Sequence, residues 1–252
     1  MSERERLDLL LVARGLAPSR VRAQAMIAAG RVRVDGRTAE KANLRPSPDC
    51  ALDIRPSDDD RWVSRAALKL RHGLAHFRLD PAGRVALDIG ASTGGFCQVL
   101  LEGGARRVYA VDVGHGQLVP ALRADPRIVT LEGVNARDLG PAQVPEAVDV
   151  VTCDASFIGL AKVLPPALAL AVPAAFLVAL IKPQFEAGPD ARDRHGVVRD
   201  PARHDAVCEA VRDWLGGQAG WHVLGITDSP IAGGDGNREF LIAAELKASD
   251  KP

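Results

Sequence analysis

The 252-residue chain is predicted to be an α/β protein: a Rossmann-like, seven-stranded, mostly parallel sheet with its last strand antiparallel, preceded by a small α+β domain. Three observations predict it. From Ser64 onward, short continuous apolar runs alternate with helical stretches, the pattern of strands buried on both faces of a parallel sheet. The first of those runs leads straight into a glycine-rich turn, L-D-I-G-A-S-T-G-G-F (87–96). The first fifty or so residues differ in character, being strongly basic and cut into short elements. The whole chain is of ordinary globular composition, 47% hydrophobic and 25% charged, with 32 basic and 32 acidic residues.

Residues 1–57 read as one domain, 58–63 as a linker and 64–252 as the second domain. R-L-D-L-L-L-V-A-R-G (6–15) spaces its apolar residues for a helix closed by Gly15, and a second helix has Ser19 as N-cap and Gly30 as its stop. R-V-R-V-D-G-R-T-A then alternates around Asp35-Gly36, a hairpin signal. Between Arg14 and Arg45 stand eight basic and two acidic residues, net +6. Such clustering predicts contact with a polyanion, and the order of elements resembles the alpha-L RNA-binding fold of a ribosomal small-subunit protein and many pseudouridine synthases. The residues expected to face RNA are Arg14, Arg20, Arg22, Arg31, Arg33, Arg37 and, at the start of the second domain, Arg65. The acidic, proline-containing stretch R-P-S-D-D-D-R-W-V (55–63) reads as the linker.

In the second domain a helix over roughly 64–78 precedes the strand R-V-A-L-D-I-G, and the Gly-rich turn opens a helix running through Val99–Glu102. The strands R-V-Y-A-V-D, R-I-V-T-L, A-V-D-V-V-T-C-D, A-F-L-V-A-L-I-K, W-H-V-L-G-I-T and E-F-L-I-A-A-E-L follow. The last two are joined by a loop too short for a crossover helix, so they form an antiparallel pair at the sheet edge. Val163 to Ile181 is nineteen residues without a charge, enough to span a bilayer on paper. It contains Pro165, Pro166 and Pro173, which predict a helix, a turn and a buried strand and no membrane span. The N-terminus lacks the apolar core of a signal peptide. The four cysteines are scattered, without zinc-ligand spacing. A reduced, cytoplasmic protein without a bound metal is expected.

The turn carries the cofactor reading. Ligands of open α/β sheets bind outside the carboxyl ends of the strands. Gly90, Gly94 and Gly95 do not follow G-x-G-x-x-G, and Asp88 would repel a pyrophosphate. An acidic residue before the glycines suits the cationic S-adenosylmethionine. Asp112, ending the second strand, is placed to accept from ribose hydroxyls. Asn135 and Asp138, after the third, stand where an adenine edge is read. Four further residues fall where active-site groups belong: Lys69 in the helix before the first strand, Asp154 and Lys182 at the ends of the fourth and fifth, and Glu239 at the start of the last.

The W-V-S-R-A-A-L-K-L segment, D-I-G-A-S-T-G-G-F, D-V-G-H-G-Q-L, D-A-S-F-I, I-K-P-Q-F-E and G-N-R-E-F, behind a basic N-terminal module, resemble the TlyA family. These are ribosomal-RNA ribose 2′-O-methyltransferases with an FtsJ-like domain, once labelled haemolysins. The resemblance covers nearly the whole chain. It implies a Lys69–Asp154–Lys182–Glu239 tetrad, S-adenosylmethionine held at Asp88, Gly90, Ser92, Gly94 and Asp112, with Thr93 in the same turn, and a cytidine of ribosomal RNA or a ribosomal subunit as acceptor. The chain ends soon after its last strand, which within the family points to large-subunit RNA alone, with modification of small-subunit RNA as well the other option. A lysine beside the ribose hydroxyl acts as a base only if its pKa falls from about 10.4 towards neutrality; otherwise it orients the nucleophile. Other readings are a membrane-lytic haemolysin, which the prolines oppose, a non-catalytic RNA-binding assembly factor, which the intact tetrad opposes, and a small-molecule or protein methyltransferase, which leaves the basic module unexplained.

Overall fold

The computed structural model describes residues 5–17, 19–57, 61–233 and 236–247. The chain divides into two compact units, Met1–Arg61 and Trp62–Pro252. Of the expected linker, residues 58–60 lie outside the described residues. Trp62 and Val63 belong to the larger unit instead: the Trp62 ring is buried among Leu70, Phe96 and Leu100, and Val63 N–H donates to Gln98 Oε1 at 2.9 Å. An indole buries too much apolar area to be left in a tether.

In the smaller unit, helices α1 (Leu7–Ala13) and α2 (Arg20–Ala28) pack on a three-stranded sheet of β1 (Val32–Val34), β2 (Arg37–Thr38) and β3 (Leu52–Ile54), ordered β2-β1-β3 and antiparallel throughout. Ser19 Oγ accepts from Arg22 N–H and caps α2. Asp35 and Gly36 both have positive φ, 48° and 77°, as a two-residue hairpin turn matching strand twist requires. Leu7, Leu11, Ala23, Ile27 and Val32 form the core.

In the larger unit, α3 (Ala66–Phe77) precedes β4 (Val85–Ile89), α4 (Gly95–Glu102), β5 (Arg107–Asp112), α5 (Pro120–Arg123), β6 (Ile128–Glu132) and β7 (Val148–Cys153). Then come α6 (Leu160–Val163), α7 (Pro165–Ala169), β8 (Ala171–Ile181), α8 (Pro183–Glu186), α9 (Pro201–Gly216), β9 (Trp221–Asp228) and β10 (Phe240–Leu246). The sheet order is β6-β5-β4-β7-β8-β10-β9, parallel except for β10, which is antiparallel to both neighbours. Alternate residues feed two cores: Leu177, Ala179 and Ile181 face α9 with Val207, Val211 and Leu215, whereas Phe176, Val178 and Leu180 face α3 and α4 with Leu70 and Leu100. That explains the unbroken apolar run of β8, which has no solvent face.

β8 begins earlier than expected, at Ala171, and passes through Pro173. Its register with β7 shifts between Val148 and Val150, and Ala174 has φ 66°. The strand tolerates a proline because it bulges there. Among the described residues no helix is long and apolar enough to cross a membrane. All four cysteines are buried and unpaired.

Leu177 has no exposed surface. Leu177→Ala is expected to cost about 2–5 kcal/mol in chemical denaturation. Leu224→Ala, on a partly exposed β9 position, should stay within about 0.5 kcal/mol.

Candidate active site

The chain runs from β4 outwards to β5 and β6, then returns to β7 on the other side of β4. This reversal opens a crevice at the carboxyl ends of β4 and β7, where open α/β sheets bind ligands. Ile89 is level with Cys153 across the two strands, so Gly90 and Asp154 emerge together. A Cβ on Gly90 would come within 2.9 Å of Ala155 N and 3.0 Å of Ala155 Cα, and φ there is +80°. The turn can approach the Asp154 loop this closely only as bare backbone.

Two cavities meet at this point. One, of about 450 Å³, is walled by Val113, Val134 and Ile158 and edged by Asp112 and Asn135. The other, of about 550 Å³, extends from Ser64, Lys69 and the turn residues Ser92 and Thr93 to Lys182, Gln184, Phe185, Asn237 and Glu239. Gly90, Ser92, Asp154, Ser156 and Phe157 line both. The first suits a flat apolar ring carrying a hydroxylated sugar, since its walls are aliphatic and its edge is a carboxylate. Asp112 Oδ2 accepts from Ser92 N–H at 2.8 Å and Oδ1 from Gly114 N–H at 2.8 Å. This fixes the turn, in which Ser92 takes the left-handed φ of 46°, and leaves acceptor capacity on both oxygens. Glu132 accepts from the backbone N–H groups of Gly116, Gln117 and Leu118 and from Arg123, contacts that hold its carboxyl down at about 2 and fold the 113–118 loop.

The second cavity contains all four tetrad residues. Lys69 Nζ of α3 lies 2.6 Å from Glu239 Oε2. Lys182 Nζ lies 2.6 Å from Asp154 Oδ1, off the line of a hydrogen bond, and donates to Asp154 O at 3.1 Å and Ser156 Oγ at 3.0 Å. Strand direction brings Glu239 here. Phe240 opens β10 opposite Ile181, the last residue of β8, so the residues just outside that pair are Glu239 and Lys182. At the mouth, Phe157 is 89% exposed and held at φ 66°, its ring 5.0 Å from that of Phe185, over which the Arg192 guanidinium lies at 5.8 Å.

Several expected residues stand elsewhere. Asp88 lines neither cavity. It is fully buried, Oδ1 accepting from Thr152 Oγ at 2.8 Å and Oδ2 from Cys97 Sγ at 3.1 Å. Burial raises its pKa to about 7 against those two hydrogen bonds. It is level with Ala110, two residues short of Asp112 along the neighbouring strand, and therefore sits beneath the turn. Gly94, also outside both linings, is the left-handed N-cap of α4 at φ 100°, where a Cβ would strike the Leu118 and Leu122 side chains. Asn135 does stand at the edge of the smaller cavity, its Oδ1 accepting from Arg137 N–H at 3.1 Å to cap a short 3₁₀ turn, whereas Asp138, exposed in that turn, lines neither cavity.

Of the arginines, Arg14 donates to the carbonyls of Cys50 and Pro48, Arg20 pairs with buried Asp8 at 2.9 Å, Arg31 donates to Arg55 O, and Arg65 donates to Ala232 O. These four brace their own units. Arg37 is exposed on the hairpin, whereas Arg22 and Arg33 are half-buried. The sequence reading missed Ser156, Phe157, Gln184 and Asn237. They lie within D-A-S-F-I, I-K-P-Q-F-E and G-N-R-E-F, the motifs that had already yielded their charged neighbours.

Comparison with known proteins agrees with this architecture. Residues 62–246 match the FtsJ-like methyltransferase family and residues 5–49 the S4 domain. A Mycobacterium tuberculosis protein named 16S/23S rRNA (cytidine-2′-O)-methyltransferase TlyA is 46% identical, the match covering 96% of this chain and 90% of that one. Brachyspira hyodysenteriae hemolysin A is 37% identical over 94% of this chain and 98% of its own. A solved Streptococcus thermophilus structure described as a hemolysin superposes with a TM-score of 0.74 at 38% identity, covering 98% of this chain and 90% of its own. The fold and its crevice define a methyltransferase of the FtsJ-like kind, with S-adenosylmethionine as methyl donor. The chain belongs to the FtsJ-like methyltransferase family, as a TlyA-type member that joins it to an S4 domain.

Two outcomes follow from this geometry. Gly90→Ala should abolish S-adenosylmethionine binding in calorimetry, because both its φ and its contact with Ala155 forbid a side chain. Asp88 titrates near 4 in the unfolded chain and near 7 in the folded one. The folded state therefore binds more protons between these values, and stability from this group declines as pH rises from about 4 to about 7. Asp88→Asn does not titrate, so its stability relative to wild type should climb across that window, by up to roughly 4 kcal/mol, and be level on either side.

Proposed function

We propose that the protein transfers a methyl group from S-adenosylmethionine to the ribose 2′-hydroxyl of a cytidine in ribosomal RNA, in the cytoplasm. The observation that carries this reading is the convergence of Lys69, Asp154, Lys182 and Glu239 as two ion pairs in one cavity that shares a wall with the smaller, aliphatic-walled one. The relatives named above supply the acceptor: the M. tuberculosis protein is named for cytidine-2′-O methylation of 16S and 23S RNA.

Bound at the turn, S-adenosylmethionine supplies an electrophilic methyl carbon on a cationic sulfur. The first cavity takes its adenosine, with Asp112 accepting from the ribose hydroxyls and Gly90 allowing close approach. Lys182 Nζ is placed to hold the acceptor 2′-hydroxyl. Its two hydrogen bonds, to Asp154 O and Ser156 Oγ, leave one position on Nζ for that hydroxyl, while the Asp154 carboxylate beside it keeps the lysine in place. Lys69 with Glu239 receives the remaining ribose oxygens. Fixing the nucleophile in line accounts for several kcal/mol of barrier on its own. Phe157 and Phe185 offer a face on which an unstacked base can lie. In the S4 unit, Arg37 and the half-buried Arg22 and Arg33 present the charge that meets phosphate.

Lys182→Ala is expected to bind S-adenosylmethionine with nearly wild-type affinity in calorimetry and to lose at least about a hundredfold in methyl transfer. Wild-type turnover by that variant would sink the assignment. Mapping 2′-O-methylated positions in the ribosomal RNA of cells with and without the protein tests the acceptor. A cytidine position that loses its methyl group is the expected result.

A further inference from the structure

The polar side chains of the larger cavity are nearly all committed. Lys69 is held by Glu239, and Lys182 by Asp154 and Ser156. Asn237, a buried amide, accepts from Val198 N–H at 3.2 Å and donates to Gly196 O at 3.4 Å. Two oxygens stand apart among the described residues: Asp154 Oδ1, which makes only an ion pair with Lys182, and that of Gln184, which has neither ion pair nor hydrogen bond. Gln184 is 7% exposed, lines the cavity, and its Oε1 is buried without a hydrogen-bond partner. Carboxamides are seldom buried in this way, because the lost solvation is not returned. A rotation of the side chain that turns Oε1 into the cavity it lines would let a ligand complete the amide.

Its neighbours say which part of the ligand. Gln184 stands in the first turn of α8, two residues after Lys182, and lines the cavity together with Phe157 and Phe185, the rings on which a base can lie. Ribose hydroxyls are already met by the two ion pairs, which offer donors and acceptors alike. What remains is the base. A carboxamide presents one acceptor and one donor in a plane, and cytosine presents the complement on its Watson–Crick edge, the 4-amino donor beside the N3 acceptor.

We propose that Gln184 is a specificity-determining residue that reads the edge of the acceptor cytosine, Oε1 accepting from the 4-amino group and Nε2 donating to N3. The proposal rests on the acceptor assigned above. An incoming pyrimidine with its amine satisfies the open amide, and one without it leaves the amide unpaired, so the cost falls on the wrong base.

The test uses the full chain and ribosomal RNA carrying, at the mapped acceptor position, either cytidine or the pyrimidin-2-one riboside that lacks only the amino group. Wild type should prefer cytidine by about 10- to 100-fold in kcat/KM. Gln184→Leu should bind S-adenosylmethionine as wild type does, and its preference should collapse to within about threefold, its cytidine rate falling to the pyrimidinone rate. Gln184→Met, of similar length, should repeat this if the branched side chain disturbs folding. Gln184→Glu, which keeps an acceptor, should retain part of the preference. Three results would overturn the proposal: an undiminished preference in Gln184→Leu, an equal loss on both substrates, or a loss of cofactor affinity. If wild type methylates neither RNA, the cytidine acceptor itself is wrong and this inference falls with it.

Discussion

Three ionisable side chains, Lys69, Lys182 and Glu239, are buried in the larger cavity and a fourth, Asp154, is partly so, and they can be held there only because they arrive as two pairs. An isolated lysine or carboxylate there would meet a desolvation cost of several kcal/mol, whereas a paired one keeps most of its charge interactions. The Lys69–Glu239 pair joins a helix near the start of the larger unit to a strand at its end. It exists only when α3 has packed on the sheet and β10 has entered between β8 and β9. Site and fold are therefore one cooperative object. The reversed direction of β10 serves the same end, since an antiparallel strand starts where its neighbours finish. A parallel β10 would place Glu239 at the opposite edge of the sheet.

The two halves of the crevice are built by different means. The smaller cavity has aliphatic walls set on a backbone frame that carboxylates hold in shape. Asp112 fixes Ser92 and Gly114, Glu132 gathers three successive N–H groups of the following loop, and Gly90 lets the turn touch the Asp154 loop. Glu186 does the same for the other wall, accepting from Leu160 N–H at the start of α6. The larger cavity is instead furnished with side chains from α3, β7, β8 and β10. That division fits a constant cofactor on one side and a selective acceptor on the other.

How much of this was legible in the sequence depended on what each signal measures. Apolar runs and Gly-rich turns report strand order along the chain, and residues at strand ends are flagged by their chemistry. Hence the seven strands, the antiparallel edge and the tetrad could all be anticipated. Depth along a strand is not reported. Asp88 and Asp112 both precede or end a turn, yet register sets Asp88 two residues lower, about 6–7 Å, and buries it against Cys97 and Thr152. Nor does charge composition separate an arginine that faces a partner from one that ties down a carbonyl. The acceptors of Arg14 and Arg31 are backbone oxygens, invisible to any reading of side-chain types. Pro173 misled for a related reason, because a bulge removes the ladder bond that a proline cannot make.

Within the cavity, the state of each hydrogen bond separates what the fold requires from what it leaves for a ligand. Asn237 and Gln184 are both amides, both buried, and both in motifs that carry a charged tetrad member. Asn237 has committed both ends of its amide to the backbone of the 196–198 segment, so it holds a loop. The Gln184 carbonyl oxygen is committed to nothing among the described residues. The same reasoning bears on Lys182, which makes two hydrogen bonds, to Asp154 O and Ser156 Oγ, beside an Asp154 carboxylate contact outside hydrogen-bond geometry. One position on Nζ is therefore left to meet the acceptor hydroxyl, between partners that hold the lysine in place. As the O–CH3 bond forms and the S–CH3 bond breaks, the hydroxyl proton leaves to solvent through the cavity mouth, and alignment by Lys182 carries the reactivity of the acceptor.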